Sequence, residues 1–229
     1  MRLKLLILFV LWSISYGNAQ IDQSKTGAWY MYFFNTQFKN SDFGIQGDLQ
    51  HRNWNVLGDL EQLLVRTGVT YTPKNSGIMF TLGYANITTG TFGDSTVSTN
   101  ENRIYQEGLF SQKLGGRFFL THRFRYEQRF VENQDFRTRY RYNLFLNIPL
   151  NKKTLEKNAI YTAFYNEIFV NGQTNIGNNN TVALFDRNRT YLGLGYVLKP
   201  GQRFQLGWMN QKTNNWGKGQ LQFSFHHNF

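Results

Sequence analysis

The residues in this sequence with the clearest chemical potential are arginines and carboxylates that recur at alternate positions. Side chains two apart on a β-strand share a face, so each run would present its charges on one side. The planar guanidinium group of arginine can form paired hydrogen bonds with a carboxylate or a phosphate. The cluster is therefore interpreted either as an ion-pair network filling a narrow barrel, or as a cationic constriction that selects anionic solutes or binds a lipid phosphate. Its predicted members are Arg123, Arg125, Glu127, Arg129, Arg137, Arg139, Arg141, Glu167 and the loop-borne Asp186, Arg187 and Arg189.

Candidate catalytic residues are few. Ser224 and His226 lie two apart on one strand face, as a Ser–His nucleophile pair would need. No third, orienting acid is identifiable, and coincidence is the simpler interpretation, so no catalytic residue is assigned and an enzymatic activity stays undecided. Cysteine is absent, and the chain has no metal-ligand spacing, phosphate loop or dinucleotide fingerprint. The sequence predicts no metal and no cofactor.

The elements that position these side chains are predicted to be β-strands, because the dominant periodicity after residue 26 is two. In residues 117–130, Phe124 and Tyr126 share one face while Arg123, Arg125 and Glu127 share the other. Residues 137–148 repeat this pattern. A slip of one residue would exchange the two faces, so the chemistry assigns them.

Nine further segments have strand character. They are residues 28–38, 42–52, 60–72, 77–88, 103–114, 159–169, 190–199, 202–213 and 218–229. The total is eleven, whereas bacterial membrane barrels close with an even number, so ten or twelve strands are predicted. Short connections alternate with longer polar ones, as periplasmic turns alternate with outer loops. The Lys-rich connection at 149–158 departs from this alternation.

The start of the chain is typical of a cleaved export signal. Arg2 and Lys4 precede an apolar run at 5–12, and small residues at Gly17 and Ala19 suit cleavage before Gln20. The apolar run is too short to span a bilayer of about 30 Å. The predicted organisation is a signal peptide at 1–19 and one barrel at 20–229.

Composition favours a membrane barrel over other classes. Aromatic residues make up 17% of the chain and charged residues only 17%, against roughly 25% charged in soluble domains. The mean hydropathy of -0.48 argues against a bundle of membrane helices. The net charge of +11 suits anionic lipid or an anionic solute, and the export signal argues against nucleic acid as a partner.

The C-terminal strand carries the most specific pattern. Leu221, Phe223 and Phe225 alternate with polar residues and the chain ends at Phe229, which resembles the terminal-aromatic signature that outer-membrane barrels present to their insertion machinery. A lipocalin-like soluble barrel would place apolar residues inside and charges outside, and periodicity alone does not separate the two. The predicted fold is all-β, a transmembrane antiparallel up-and-down barrel of ten to twelve strands.

Several segments resemble the domain of unknown function 2490 family, which comprises predicted outer-membrane proteins without an assigned activity. They are residues 124–141 (FRYEQRFVENQDFRTRYR), the YNEIF and FDRNR motifs within 165–189, and LGWMNQ at 206–211. Fainter likeness at 50–52 and 66–71 extends the resemblance over most of the mature chain. It implies a barrel and adds no reaction.

We therefore expect an outer-membrane protein in contact with membrane lipid, with an Arg-rich polar lumen. Three functions are hypothesised: a narrow channel or binder for anions, a lipid hydrolase using Ser224, and a structural or assembly partner acting through residues 170–188. Phe229 is the predicted contact with the insertion machinery.

Overall fold

The computed structural model describes residues 25–93 and 96–229, which form eleven β-strands. The predicted signal peptide at 1–19 lies outside these residues. None of the described residues is helical, so no helix long and apolar enough to cross a membrane occurs among them. The strands are β1 (Gly27–Gln37), β2 (Phe43–Asn53), β3 (Leu60–Tyr71), β4 (Ile78–Gly90), β5 (Ser98–Leu114), β6 (Phe118–Val131), β7 (Arg137–Pro149), β8 (Ile160–Asn171), β9 (Phe185–Lys199), β10 (Gln202–Lys212) and β11 (Gly217–Asn228).

The strands form one closed barrel, which confirms the predicted all-β barrel fold. Each strand pairs antiparallel with the next along the chain, and β1 pairs with β11 in parallel, from Gly27 beside Gln220 to Asn35 beside Asn228. The prediction of an even strand number was wrong. An even number follows only when every pair is antiparallel, and one parallel pair lets all eleven segments close.

The parallel pair places the two described chain ends at opposite rims. We call the rim that holds the C-terminus the turn end; its connections follow β1, β3, β5, β7 and β9 and have two to ten residues. We call the other rim the loop end; its connections have four to thirteen residues. The predicted loop at 170–188 is shorter than expected, because β8 continues to Asn171 and β9 begins at Phe185. Asp186, Arg187 and Arg189 therefore lie on a strand and not on a loop.

The two faces of the wall differ as the alternation predicts. Phe124 and Tyr140 point outward with 60% and 55% of their surface exposed, while Arg125 and Arg139 point into the lumen and are buried. Every strand contributes at least one large apolar side chain to the outer face. Examples, one from each strand in order, are Tyr30, Leu49, Val69, Leu82, Ile104, Phe124, Tyr140, Ile160, Leu192, Leu206 and Phe223. The charges line the inside, the reverse of a lipocalin-like barrel.

Candidate functional site

The lumen is divided along its axis into a dense layer of ion pairs and an open cavity. The half towards the loop end is filled by charged side chains around a small pocket of about 50 Å³. The half towards the turn end holds a cavity of about 600 Å³. We call the first part the ion-pair layer; its members are Glu101, Arg103, Glu127, Arg129, Arg139, Arg141, Glu167, Asp186 and Arg187.

Glu127 forms the centre of the ion-pair layer and is 1% exposed. Its Oε2 accepts hydrogen bonds from Arg139 Nε at 2.9 Å and Nη2 at 2.6 Å, and its Oε1 accepts one from Arg141 Nη1 at 2.6 Å. The register explains this geometry, because Glu127 faces Arg139 directly across the β6–β7 pair. Bonds of this kind to charged donors are roughly twice as strong as neutral ones.

The remaining carboxylates of the layer are shared in the same way. Glu101 accepts hydrogen bonds from both Arg103 and Arg129, at 2.5 to 3.0 Å. Asp186 accepts from Arg139 at 2.8 Å and from Arg187 at 3.1 Å. Each carboxylate therefore serves two or more arginines, which compensates the cost of burying the charges.

The loop end carries a further apolar cover. Trp54 and Phe92, from the connections after β2 and β4, meet edge to face with ring centroids 5.7 Å apart. Ile176, from the connection after β8, is 6% exposed, and its carbonyl accepts the Asp135 N–H at 2.9 Å. The connection predicted to bind a partner thus packs on its neighbouring loop.

The cavity in the other half opens at the turn end, where Asn35, Ile78 and Asn228 line it. Its wall mixes two kinds of side chain. Charged and amide side chains from β2, β3 and β5 to β11 form one part. The inward face of β1 is apolar at three successive inward-facing positions, Trp29, Met31 and Phe33.

The floor of the cavity is a tryptophan between two guanidinium groups. The Cζ atoms of Arg52 and Arg189 lie 3.9 Å and 4.7 Å from the centroid of the Trp29 ring. Both arginines are bonded to neutral amides: Arg52 Nη1 donates to Gln62 at 2.6 Å, and Arg189 Nε donates to Gln211 at 2.7 Å. We call Trp29, Arg52 and Arg189 the cavity floor.

Within the described part of the chain, neither floor arginine has a carboxylate within 4.0 Å. Glu61, the buried acid nearby in the lumen, instead accepts hydrogen bonds from Trp29 Nε1 at 2.8 Å and from Gln220 at 3.2 Å. The same shortage holds for the lumen as a whole. Among the described residues, nine buried arginines face six buried carboxylates, an excess of three positive charges.

The structure places the eleven predicted site residues in one lumen but in different roles. Glu127, Arg129, Arg139, Asp186 and Arg187 belong to the ion-pair layer, and Arg141 and Glu167 border both the layer and the cavity. Arg123 and Arg125 line the cavity, and Arg189 belongs to its floor. Arg137 lies at the loop end of the layer, away from the cavity, with no ion pair among the described residues.

Ser224 and His226 also line the cavity, near its mouth. The Ser224 Oγ and His226 Nε2 atoms are 3.1 Å apart, and the imidazole stacks on Phe33 with centroids 4.8 Å apart. Directly across the β10–β11 pair from His226 lies Arg203, whose Nε is buried without a hydrogen bond. Among the described residues no carboxylate bonds to His226, so the pair has no orienting acid.

Sequence reasoning missed several members of the site. Glu101 was assigned to the connection before β5, although β5 begins at Ser98 and Glu101, Arg103 and Glu107 alternate along its inward face. That alternation is visible in the sequence. The contact between Trp29 and Arg52 was not predicted in this way, because it depends on the register of β1 against β2.

Comparison with known proteins agrees with the resemblance noted in the sequence. The model of a family described as a protein of unknown function, DUF2490, matches residues 26–222, which confirms the predicted relationship. No curated protein matches the chain.

Proposed function

The chain belongs to the DUF2490 family of proteins of unknown function, and from its barrel and cavity we propose that it is an outer-membrane protein that binds a small anionic solute in its lumen. The cavity is the binding site, and the ion-pair layer closes the barrel behind it.

The outer face supports the membrane part of this proposal. Large apolar side chains are exposed on all eleven strands, and Leu82, Phe124 and Leu192 each expose about 60% of their surface. Soluble monomers rarely expose continuous apolar patches larger than a few hundred Å². A closed barrel pairs its backbone groups within the sheet, which hydrocarbon requires.

The binding part rests on one observation, the two uncompensated arginines of the cavity floor. A buried charge is costly unless a counter-charge or an equivalent set of hydrogen bonds accompanies it. Arg52 and Arg189 are 5% and 6% exposed and have only neutral amide partners among the described residues. An anion that enters the cavity would supply the missing counter-charge, and two guanidinium groups are suited to bind a phosphate or carboxylate.

The ion-pair layer argues for a binder over a channel. The space left within the layer is about that of one or two water molecules. We expect no steady current when the protein is inserted into planar bilayers, and a folded barrel that needs detergent or lipid to stay dispersed. A sustained anion-selective current would contradict the binder, and a mature protein that remains dissolved in plain buffer would contradict the membrane location.

Anion binding is tested by calorimetry on the barrel in nanodiscs of zwitterionic lipid, with inorganic phosphate and decyl phosphate as probes. We expect at least one probe to bind and Arg189→Gln to weaken that binding about 10-fold or more, since a hydrogen bond to a charged group contributes about 1.5–3 kcal/mol. Arg137→Gln is the matched control, because Arg137 also has no ion pair among the described residues but lies away from the cavity. Equal losses in both variants, or no binding of either probe, would refute the proposal.

The 3.1 Å contact between Ser224 and His226 favours a second candidate, hydrolysis of an ester in the cavity. Ser224 Oγ would attack the ester carbonyl and pass its proton to His226 Nε2, the alcohol would leave with that proton, and water would release the acyl group. A p-nitrophenyl ester tests this: Ser224→Ala should abolish turnover and Ser111→Ala, also in the cavity wall but bonded to Thr121, should not. Turnover that survives Ser224→Ala would eliminate this candidate.

A further inference from the structure

The inward face of β1 is apolar where it lines the cavity. Its outward residues Tyr30 and Tyr32 are aromatic, as the membrane location requires, but Trp29, Met31 and Phe33 on the inward side are apolar as well. A lumen that held only water and ions would be expected to carry polar residues at those positions. At about 3.3 Å per residue, Trp29 to Phe33 is an apolar strip of about 13 Å along the cavity wall.

Apolar side chains from other strands face the same space. Met79 and Leu109 are paired neighbours on β4 and β5, and Phe145 projects from β7. Together with Met31 and Phe33 they lie between the cationic floor and the mouth at the turn end. We call these five residues the apolar wall.

The side chains that line the cavity therefore differ with depth. Two guanidinium groups without a carboxylate partner lie at its floor, and the apolar wall lies nearer its mouth. We propose that its ligand is a single-chain amphiphile, whose phosphate or carboxylate head binds Arg52 and Arg189 and whose hydrocarbon chain lies along the apolar wall. This inference rests on the proposed function and names the chemical class of its ligand.

The volume of the cavity and the position of its apolar wall agree with such a ligand. A cavity of about 600 Å³ is within the usual range for small-molecule sites, about 300–1,000 Å³. A small polar anion would satisfy the floor and leave the apolar wall in water, whereas a hydrocarbon chain removes that wall from water. In this arrangement the head lies innermost, because the apolar wall is on the mouth side of Arg52 and Arg189, while Arg203 faces His226 near the mouth.

Calorimetry in nanodiscs of zwitterionic lipid tests the inference with three probes: decyl phosphate, inorganic phosphate and decanol. Empty nanodiscs correct for partition of the chain into lipid. We expect decyl phosphate to bind at least about 100-fold more tightly than inorganic phosphate, since each buried methylene group contributes several-fold to affinity. Decanol, which lacks the anionic head, should bind at least about 10-fold more weakly than decyl phosphate.

Two variants separate the head from the chain. Arg189→Gln should weaken decyl phosphate about 10-fold or more and leave decanol unchanged, while Met31→Gln should weaken decyl phosphate and leave inorganic phosphate unchanged. Arg137→Gln should change neither, and circular dichroism verifies that every variant is folded.

The results that would refute this inference differ from the results that would refute the proposed function. If inorganic phosphate binds as tightly as decyl phosphate, and both depend on Arg189, the barrel binds anions but the amphiphile is refuted. If decyl phosphate and decanol bind alike, with no dependence on Arg189, the apolar wall holds a chain without its head and the inference is overturned. If no probe binds, the proposed function fails with it.

Discussion

The ion-pair layer and the cavity floor are both built from buried arginines of the same lumen, yet they solve the problem of a buried charge differently. In the layer, Arg139 and Arg141 each bond to two carboxylates. On the floor, Arg52 and Arg189 rest on Trp29 and bond to amides. The arginines of the layer have their counter-charges within the protein, whereas the arginines of the floor lack a counter-charge.

This difference indicates what each half of the lumen does. Breaking one partner of a compensated buried pair leaves a charge that nothing offsets, which is among the most costly changes in a protein interior. Removing an arginine that has no carboxylate partner costs far less stability, and where such an arginine faces an open cavity, as Arg52 and Arg189 do, its presence is better explained by a ligand. The layer is structural, and the floor is where a ligand is expected.

The largest effect is expected at the centre of the layer. Glu127→Gln removes the carboxylate that Arg139 and Arg141 share and leaves both guanidinium groups partly unpaired, so the free energy of unfolding should fall by about 3–5 kcal/mol. Urea unfolding of the barrel in lipid vesicles measures it. Glu156→Gln is the control, an exposed carboxylate at the turn end, which should change stability by less than about 0.5 kcal/mol. Similar losses in the two variants would mean that the layer contributes no more than the surface does.

The comparison is sharpened by replacing one arginine from each half with methionine. Arg141→Met leaves the partners Glu127 and Glu167 short of a donor and should destabilise the barrel by about 3 kcal/mol. Arg189→Met loses a hydrogen bond to Gln211 and its contacts with Trp29 and Phe169 but relieves an uncompensated charge, so its effect should stay within about 1 kcal/mol of zero. The same unfolding assay applies, and a loss at Arg189 as large as that at Arg141 would remove the distinction between floor and layer.

The fold was largely predictable because successive residues of a barrel strand face the outside and the lumen in turn, and the two environments require different side chains. On β6 the rings of Phe124 and Tyr126 and the charges of Arg125 and Glu127 assign both faces without any tertiary information. Strand positions followed within a few residues for the same reason. The strand number did not, because parity is decided by how β1 meets β11, and that long-range pairing leaves no local signal.

The sequence predicted which arginines lie in the site, but it did not predict which side chains they contact. Alternation shows that Arg139, Arg141 and Arg189 face inward, yet it does not show which of them meets a carboxylate. That depends on the register between strands distant in sequence, as when Glu167 on β8 meets Arg123 on β6 at 2.7 Å. It also depends on the apolar inward face of β1, because Trp29 on that face contacts both floor arginines.

The smallest expected effect is that of salt concentration. Its effect on the two halves of the lumen should differ only because salt ions reach the floor more easily than the layer. The ion pairs of the layer are buried, so they are screened much less than exposed pairs. Raising sodium chloride from about 0.1 M to 1 M, which shortens the Debye length from about 10 Å to 3 Å, should therefore change the unfolding free energy by less than about 1 kcal/mol. The floor is reached from the turn end, so chloride can compete there, and decyl phosphate affinity should fall several-fold over the same range. Titrating salt in the unfolding and the calorimetric assays in parallel makes the comparison. If stability falls with salt while the affinity does not, then the floor is sealed and the layer is the half that solvent reaches.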